Sequence, residues 1–331
     1  MPRVAAGELV GRKVVVRRRI TGGPGAPGGR PRYTDVVGIL VAAGPATLSV
    51  RHRNRMLVDI PRSEVHVVKP VPAAPADVLA LEEVALAGWP APDTRWLGRW
   101  LLRAAEGFTG RANSVLPLGG PGRPLDEALA DVEAWYGERG LPPRVVIPTP
   151  AREALDAALA ARGWRDYNHV EVLTADVEVT LARLPERSDL PPVTIEDTPS
   201  DDWIGAYHYR GGGELPQVGR AILTGSRQPG FAVVRSGGTG STVLAIARAS
   251  VDEGWVGVTA VEVDPGHRRR GLGSQVMREL LRWAAERGAT GAYLQVAVEN
   301  DAALALYDRL GFAPHHRYHY RIVPGWPLTP M

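Results

Sequence analysis

The chain of 331 residues contains no cysteine, so disulfides, thiolate catalysis and cysteine-ligated zinc are all excluded. It also lacks an HExxH motif or a similar spacing of His, Asp and Glu, and we therefore expect no bound metal. No apolar run approaches the roughly 20 residues that a membrane-spanning helix needs, and no apolar block follows the N-terminal charges. These absences predict a cytoplasmic protein that does not act at a membrane.

Lysine is nearly absent too, because only Lys13 and Lys69 stand among the 39 basic residues. The basic residues are unevenly distributed. Residues 1–72 hold 13 basic and 4 acidic residues, a net charge of +9, whereas the remainder of the chain carries −6. The positive charge is therefore concentrated in the first segment, and a nucleic-acid partner has to be considered there.

Five short apolar stretches separated by turn residues occupy the segment 1–72. This pattern predicts a small basic β-barrel. The predicted strands are Leu9–Ile20, Thr34–Val41, Thr47–Arg51, Met56–Ile60 and Val65–Val68.

The rest of the chain contains an internal repeat. Trp135–Gly140 reads WYGERG and Trp283–Gly288 reads WAAERG, which is an offset of 148 residues. The same offset relates three further landmarks: Pro117 and Pro265, Ala154 and Ala302, Gly163-Trp164 and Gly311-Phe312. We therefore predict two copies of one α/β unit, at 78–180 and 193–323, each with a mixed sheet flanked by helices in an α/β (α+β) fold.

Strands and helices alternate in the second copy. Its predicted elements are a strand Trp255–Val263, a helix Gly271–Arg287, a strand Ala292–Val298, a helix Asp301–Leu310 and a final strand Arg317–Val323.

The loop between the first strand and the first helix of this copy is suited to an anion. Val263 ends the strand, Gly271 and Gly273 let the main chain approach a ligand closely, and Leu272 and Ser274 begin the helix. The helix N-terminus adds about half a positive charge, and Arg268, Arg269 and Arg270 add formal charge that suits a pyrophosphate. A glycine-containing turn on a solvated basic surface is the alternative.

Arg268, Gly271 and Gly273, together with Asn300, Tyr307 and Gly311-Phe312 downstream, resemble the signature of the GNAT superfamily of N-acetyltransferases. The resemblance covers most of 193–323 and implies acetyl-coenzyme A as co-substrate. It further implies that the glycine-loop amides hold the pyrophosphate, that Asn300 contacts the coenzyme and that Tyr307 protonates the departing thiolate. Asn300 could also be a helix N-cap, and Tyr307 a core aromatic.

Two positions come into consideration for the general base. Some relatives carry a Glu on the strand before Asn300, where this chain has Gln295, which cannot accept a proton at neutral pH. Glu262 is the nearest carboxylate on the preceding strand, and strand alternation places it on one face with Ala260. Glu262 therefore either faces the acceptor or pairs with an arginine.

The first copy lacks the equivalent side chains. The offset places Arg123 at Gly271, Leu125 at Gly273, Arg152 at Asn300 and Leu159 at Tyr307. We therefore expect the first copy to fold without catalysing, and to complete the sheet or to wall the acceptor site.

Two segments could bind the acceptor. Arg317, His319 and Arg321 fall on one face of the last strand, where Arg317 and Arg321 could grip a carboxylate. Arg111 and Asn113 lie in a polar insertion of the first copy that could face the same cleft. A basic edge strand and a capped turn are the respective alternatives.

Almost the whole chain is similar to an actinobacterial tandem GNAT family with an N-terminal barrel, whose members are often described as N-acetylglutamate synthases, enzymes of arginine biosynthesis. The resemblance implies a small carboxylated amine, such as glutamate, as the acceptor. A protein or peptide N-acetyltransferase is the alternative enzyme, and a non-catalytic acyl-coenzyme-sensing, nucleic-acid-binding protein is the alternative class. The first segment has little aromatic interleaving beyond Tyr33, which disfavours nucleic acid. The sequence does not indicate an oligomeric state.

Overall fold

The computed structural model describes residues 5–20, 32–52, 54, 56–208, 214–237 and 241–327. The N-terminal segment forms a five-stranded antiparallel sheet in the order β4-β3-β2-β1-β5. Its strands are β1 (Lys13–Arg19), β2 (Tyr33–Ala43), β3 (Thr47–Arg51), β4 (Leu57–Pro61) and β5 (Val65–Pro70). All five predicted strands are present, and they enclose a separate apolar core that includes Val14, Val16, Leu40 and Ile60.

The N-terminal sheet is held to the rest of the chain by charged contacts. Arg51 binds the carboxylates of Asp176 and Glu178, and Lys13 Nζ lies 2.9 Å from Asp77. The positive charge of this segment is therefore partly neutralised by acidic side chains of the following segment.

The first repeat follows as alternating helices and strands. Its elements are α1 (Pro75–Gly88), β6 (Asp93–Leu97), β7 (Trp100–Ala104), β8 (Leu116–Pro117), α2 (Leu125–Gly137), β9 (Arg144–Thr149), α3 (Glu153–Ala160), β10 (Arg165–Asp176) and α4 (Val177–Arg183).

The second repeat begins with an additional strand and two helices, and then follows the order of three strands, helix, strand, helix and strand that the first repeat shows from β6 to β10. Its elements are β11 (Val193–Glu196), α5 (Asp201–Ala206), α6 (Gln217–Thr224), β12 (Pro229–Arg235), β13 (Val243–Asp252), β14 (Trp255–Val263), α7 (Leu272–Glu286), β15 (Gly291–Ala297), α8 (Asp301–Arg309) and β16 (Ala313–Ile322). The mixed α/β architecture and the elements predicted for this copy are confirmed.

The 148-residue offset also relates the helices of the two repeats. Added to the bounds of α2, it gives 273–285, which lies inside α7; added to the bounds of α3, it gives 301–308, which lies inside α8. The parallel pair of the second repeat, β14 and β15, has a counterpart in a parallel bridge between Val115 and Val145 of the first. The part of the chain that follows the N-terminal sheet is therefore a structural duplication.

The two repeats exchange their last strands. The main sheet has eight strands in the order β11-β12-β13-β14-β15-β10-β16-β9, so β10 of the first repeat lies between β15 and β16 of the second. Ladders of β10 with β15, of β10 with β16 and of β16 with β9 join the repeats. The predicted units 78–180 and 193–323 thus share one sheet, while their bounds stay predictions. The expectation that the first copy completes the sheet agrees with this arrangement.

The helices cover the main sheet from both faces. On one face α7 and α8 pack on a core that includes Val276, Leu280 and Leu294. On the other face α1 covers the centre, where its Leu81 meets Tyr318 and Tyr320, and α5 and α6 cover the β12–β14 end. Within the described ranges, the structure contains no helix that is both long and apolar enough to cross a membrane.

The strand exchange predicts that the two repeats cannot separate without unfolding. A protease site inserted between Ser188 and Asp189, both exposed in the connecting stretch, should allow the chain to be cut after folding. We expect the fragments to elute together in native size-exclusion chromatography and apart in denaturant, because β10 stays hydrogen-bonded to strands of the other fragment. Separation in native buffer would contradict the exchanged topology.

Candidate active site

The main sheet opens between β14 and β15. The two strands pair in parallel from Trp255 to Val258 on β14 and from Gly291 to Leu294 on β15, and the pairing ends there. Residues 259–263 of β14 still pair with β13 on their other edge. On the β15 side the carbonyl of Val263 accepts a hydrogen bond from Nε of Arg268 at 3.1 Å, which leaves the other outward-pointing backbone groups of this stretch to a ligand that enters the gap.

A β-bulge in β14 lies at this opening. Ala260 has a φ of 53°, and the register of β13 against β14 shifts between Ile246 and Arg248, so that two residues of β14 stand opposite one of β13. Beside the bulge, the hydroxyl of Thr259 is buried without a hydrogen-bond partner. An orphaned hydroxyl at the edge of a gap is suited to a polar ligand.

The glycine loop lies at the carboxyl end of β14. Gly271 adopts the left-handed conformation, with a φ of 95°, and α7 begins immediately after it without a side-chain cap. The first amides of α7 therefore have no side-chain acceptor, which leaves them to a ligand. Arg268, Arg269 and Arg270 are exposed, and in the described part of the chain no carboxylate pairs with any of them. The loop thus has the charge and the free donors that a pyrophosphate needs.

Close packing surrounds the two glycines. A Cβ on Gly271 would lie 2.7 Å from Nη1 of Arg187, whereas a Cβ on Gly273 would meet only Cδ2 of Leu306 at 3.4 Å and Cγ2 of Val263 at 3.8 Å. Leu272 is buried in the core, while Ser274 is half-buried on the first turn of α7. Of the two glycines, only Gly271 is required by the fold itself.

Asn300 and Tyr307 lie at the two ends of α8. Asn300 is the N-cap of the helix, because its Oδ1 accepts a hydrogen bond from the Ala303 amide at 3.1 Å. Tyr307 is buried and packs edge-on against Phe312, and burial raises its pKa to about 12. A phenol with this pKa stays protonated at neutral pH and can therefore donate a proton.

Glu262 lies on the face of β14 that is opposite α7. The neighbouring Ala260 packs on the core under α5 and α6, whereas Val261 and Val263 pack on the α7 side. Glu262 accepts a hydrogen bond from the His208 amide at 3.1 Å, and its Oε2 lies 3.3 Å from His208 Nδ1. Partial burial raises the pKa of Glu262, against the lowering effect of His208. Its partner is a histidine instead of the arginine that was one alternative.

Gln295 meets a side chain of the first repeat on the same face. Nη1 of Arg111 donates to Oε1 of Gln295 at 2.8 Å, and the hydroxyl of Tyr318 donates to the same oxygen at 3.3 Å. The Arg111 guanidinium lies 4.7 Å above the ring of Trp89. These four side chains border a recess of about 10 Å³, the size of one water molecule, which Glu82, Arg103 and Tyr320 also line.

The other predicted acceptor residues lie elsewhere. Arg317 and Arg321 project from the face of β16 opposite Tyr318 and Tyr320, where Arg317 pairs with Glu171 at 3.3 Å and Arg321 pairs with Asp156 at 2.7 Å. The hypothesis that Arg317 and Arg321 face the acceptor is therefore not supported. Strand alternation places them on the face of β16 opposite Tyr318, which is the residue that contacts Gln295.

Asn113 is used within its own loop. Its Oδ1 accepts from the amides of Ala105 and Gly107, and its Nδ2 donates to the carbonyls of Phe108 and Thr109. All its hydrogen-bonding groups are thus engaged, so that Asn113 shapes the loop that carries Arg111 instead of presenting a group to an acceptor.

The first repeat has arginines with local partners at the positions of Gly271 and Asn300. Arg152, at the position of Asn300, donates from Nε to the carbonyl of Pro117 at 2.6 Å, and Arg123, at the position of Gly271, pairs with Asp131. The first repeat therefore lacks the glycine and the N-cap asparagine of the second at these positions, in agreement with the expected loss of catalysis.

Several cleft residues were not selected from the sequence. Glu82, Trp89, His208 and Tyr318 come from four separate elements or loops and belong to no spacing motif. The only sequence signal was the alternation of β16, which places Tyr318 and Tyr320 on one face.

A mixed sheet that parts after a short parallel pair, with a glycine loop leading into a helix at the gap, defines the GNAT class of acetyl-coenzyme A-dependent N-acetyltransferases. Acetyl-coenzyme A is the co-substrate of this class. The comparisons with known proteins identify the family. Residues 75–321 match the family model described as "Probable histone acetyltransferase Rv0428c C-terminal", and the chain belongs to that family.

Similar proteins extend over most of the chain. It is 33% identical to "Probable histone acetyltransferase Rv0428c" of Mycobacterium tuberculosis, over 96% of this chain and 97% of that protein. It is 32% identical to "Uncharacterized N-acetyltransferase YobR" of Bacillus subtilis, over 74% of this chain and 98% of that protein. The "[Ribosomal protein bS18]-alanine N-acetyltransferase" of Escherichia coli is 32% identical over 40% of this chain and 90% of its own length.

Solved structures share the fold. A GCN5-related N-acetyltransferase from Kribbella flavida superposes with a TM-score of 0.58 at 18% identity, over 75% of this chain and 96% of that one. A tandem GNAT protein from the clavulanic acid biosynthesis pathway has a TM-score of 0.50 at 14% identity, over 78% and 91% of the two chains. Both support the GNAT fold.

The backbone at Gly271 generates a stability prediction. Gly271→Ala should lower the free energy of unfolding by about 1–2 kcal/mol, because an L-residue is strained at positive φ. Gly273→Ala is the matched control, since its Cβ has room and alanine favours a helix. Urea denaturation of the coenzyme-free protein measures both. Equal stability of Gly271→Ala and the wild type would show that the left-handed turn is not required.

Proposed function

We propose that this enzyme transfers the acetyl group of acetyl-coenzyme A to the amine of a small acceptor that carries a carboxylate, in a cleft closed by the first repeat. The observation that carries this proposal is the packing of the first-repeat loop on the second repeat. Phe108 lies against α6, where a Cβ on Gly219 would be 3.0 Å from its ring, and Ala105 and Ala112 share a core with Trp203. A loop wedged there leaves little space for a long polypeptide.

The donor half of the site is formed by the second repeat alone. The amides that follow Gly271 and the exposed Arg268, Arg269 and Arg270 would hold the pyrophosphate. The unpaired edge of β14 and the Thr259 hydroxyl would receive polar groups of the coenzyme arm. The Oδ1 atom of Asn300 accepts the N-cap hydrogen bond, so that its side-chain N–H groups would donate to the coenzyme.

Glu262 and Tyr307 are assigned the two proton transfers. Glu262 takes a proton from the acceptor ammonium, and the free amine then attacks the thioester carbonyl, so that a C–N bond forms and the C–S bond breaks. Tyr307 gives its proton to the departing thiolate, which titrates near 8.5, and the second proton that the nitrogen loses as the amide forms restores the phenol. Burial keeps Tyr307 in the protonated form that this step needs.

A protein amine is the second candidate acceptor. It is favoured by the names of two relatives, a probable histone acetyltransferase and a ribosomal-protein alanine acetyltransferase. Glutamate is one small candidate. Arg317 and Arg321 do not favour it, because they project from the face of β16 opposite Tyr318 and pair with Glu171 and Asp156.

Release of coenzyme A thiol should discriminate between the two acceptors. We expect free amino acids to raise thiol release above the hydrolysis rate, and peptides and basic proteins to have little effect. Stimulation by peptides or proteins alone would overturn the small-acceptor proposal.

In the same assay Tyr307→Phe should lower kcat by about 10²-fold or more while coenzyme affinity stays near the wild-type value. An unchanged kcat would remove Tyr307 from the mechanism.

The raised pKa of Glu262 generates a pH prediction. A raised pKa keeps the carboxyl protonated, and therefore inactive as a base, to a higher pH than an ordinary glutamate. The acid limb of kcat at saturating acceptor should lie above pH 4.5, and kcat should rise with pH through it. Glu262→Gln should lower kcat by about 10²-fold and abolish that limb. A limb that persists in Glu262→Gln belongs to another group.

A further inference from the structure

We propose that Arg111 of the first repeat is the specificity residue that binds the carboxylate of the acceptor, and that Gln295 is neutral so that Arg111 stays available for it. The inference rests on the proposed function and names the residue that selects the substrate. In this arrangement the first repeat, which does not catalyse, contributes one contact to the substrate.

Arg111 is placed for this role by three contacts of different kinds. Its loop is fixed by the four hydrogen bonds of Asn113. Its guanidinium lies 4.7 Å over Trp89, whose Nε1 donates to the Thr109 hydroxyl at 3.0 Å. Its Nη1 reaches Gln295 at 2.8 Å. Within the described residues its remaining N–H groups make no hydrogen bond, so the fork that would meet a carboxylate is free.

The charges around the recess favour an anion. Arg103 is 5% exposed, has no carboxylate partner in the described part of the chain and donates instead to the carbonyl and hydroxyl of Ser114. Arg111 also lacks a carboxylate partner there. The single carboxylate that lines the recess, Glu82, is hydrogen-bonded to His316 at 2.8 Å. The recess therefore has two arginines and one carboxylate around it, which is a net positive charge in a poorly hydrated environment. The carboxylate of a ligand would neutralise this charge.

Gln295 explains why the arginine remains available. Its Oε1 accepts from both Arg111 and Tyr318, which holds Arg111 at the opening between β14 and β15. A carboxylate at this position would form an ion pair with Arg111 and compete with the substrate. A neutral amide positions the cation without neutralising it.

The substrate class follows from this geometry. Arg111 and Gln295 lie on the face of the sheet that Glu262 also occupies, which is opposite α7. The substrate that these two groups would select has an amine for Glu262 and a carboxylate for Arg111, which is the chemistry of an amino acid. A carboxamide of the same shape keeps the amine and loses the charge.

The test compares L-amino acids with their α-carboxamides in the thiol-release assay. In the wild type we expect the amino acids to have the higher kcat/KM. Arg111→Gln should lower kcat/KM for the amino acids by about 10- to 100-fold and change it little for the carboxamides. Gln295→Glu should act in the same direction, through a higher KM for the amino acids, because the new carboxylate pairs with Arg111.

Arg139→Ala is the matched control. Arg139 also stacks on a tryptophan, 3.8 Å over Trp135, but on another part of the first repeat, and its loss should leave both substrate classes unaffected. Equal use of amino acids and carboxamides by the wild type would overturn the inference and leave small-amine acetylation standing. Equal losses for both classes in Arg111→Gln would also overturn it. If neither class stimulates thiol release, the proposed function fails and the inference fails with it.

Discussion

The parting of β14 from β15 is the constraint on which the rest of the structure depends. Four residue pairs hold the strands together, and beyond Val258 and Leu294 β14 makes no further pairing with β15 in the described part of the chain. Unpaired backbone inside a protein is unfavourable unless a ligand satisfies it, so the gap is maintained by the structure around it. The bulge at Ala260 turns β14 away, α7 begins at the mouth of the gap, and β10 closes the other edge of β15.

The exchanged strand gives the degenerate repeat a structural role. Without β10 and β9, β15 would be an edge strand and β16 would have no neighbour on either side. The first repeat could therefore lose its coenzyme loop, replaced by Arg123 and Arg152 with their local partners, but not its strands. The segment that corresponds to β14 became instead the loop that carries Phe108 and Arg111 onto the second repeat.

Much of the fold was readable from the sequence, because local patterns specify local structure. The constant offset of 148 predicted the duplication, and alternation predicted the strands of the second repeat and the face of β14 that carries Glu262. Glycine spacing predicted the turn into α7, where only glycine accepts the backbone geometry without strain. Asn300 was correctly predicted as an N-cap, since the capping bond spans three residues.

Which strands pair across the duplication, and which side chains meet in the cleft, was decided by the tertiary structure alone. Two copies of one unit can each keep their last strand or exchange it, and both arrangements leave the same sequence pattern; the choice depends on long-range packing. The same choice turned Arg317 and Arg321 towards Glu171 and Asp156, and brought Arg111 to Gln295 across 184 residues of sequence. The sequence by itself therefore determined the elements, the duplication and the glycine loop, because each is specified by local patterns. The acceptor side depends on contacts between distant segments, which no local pattern encodes.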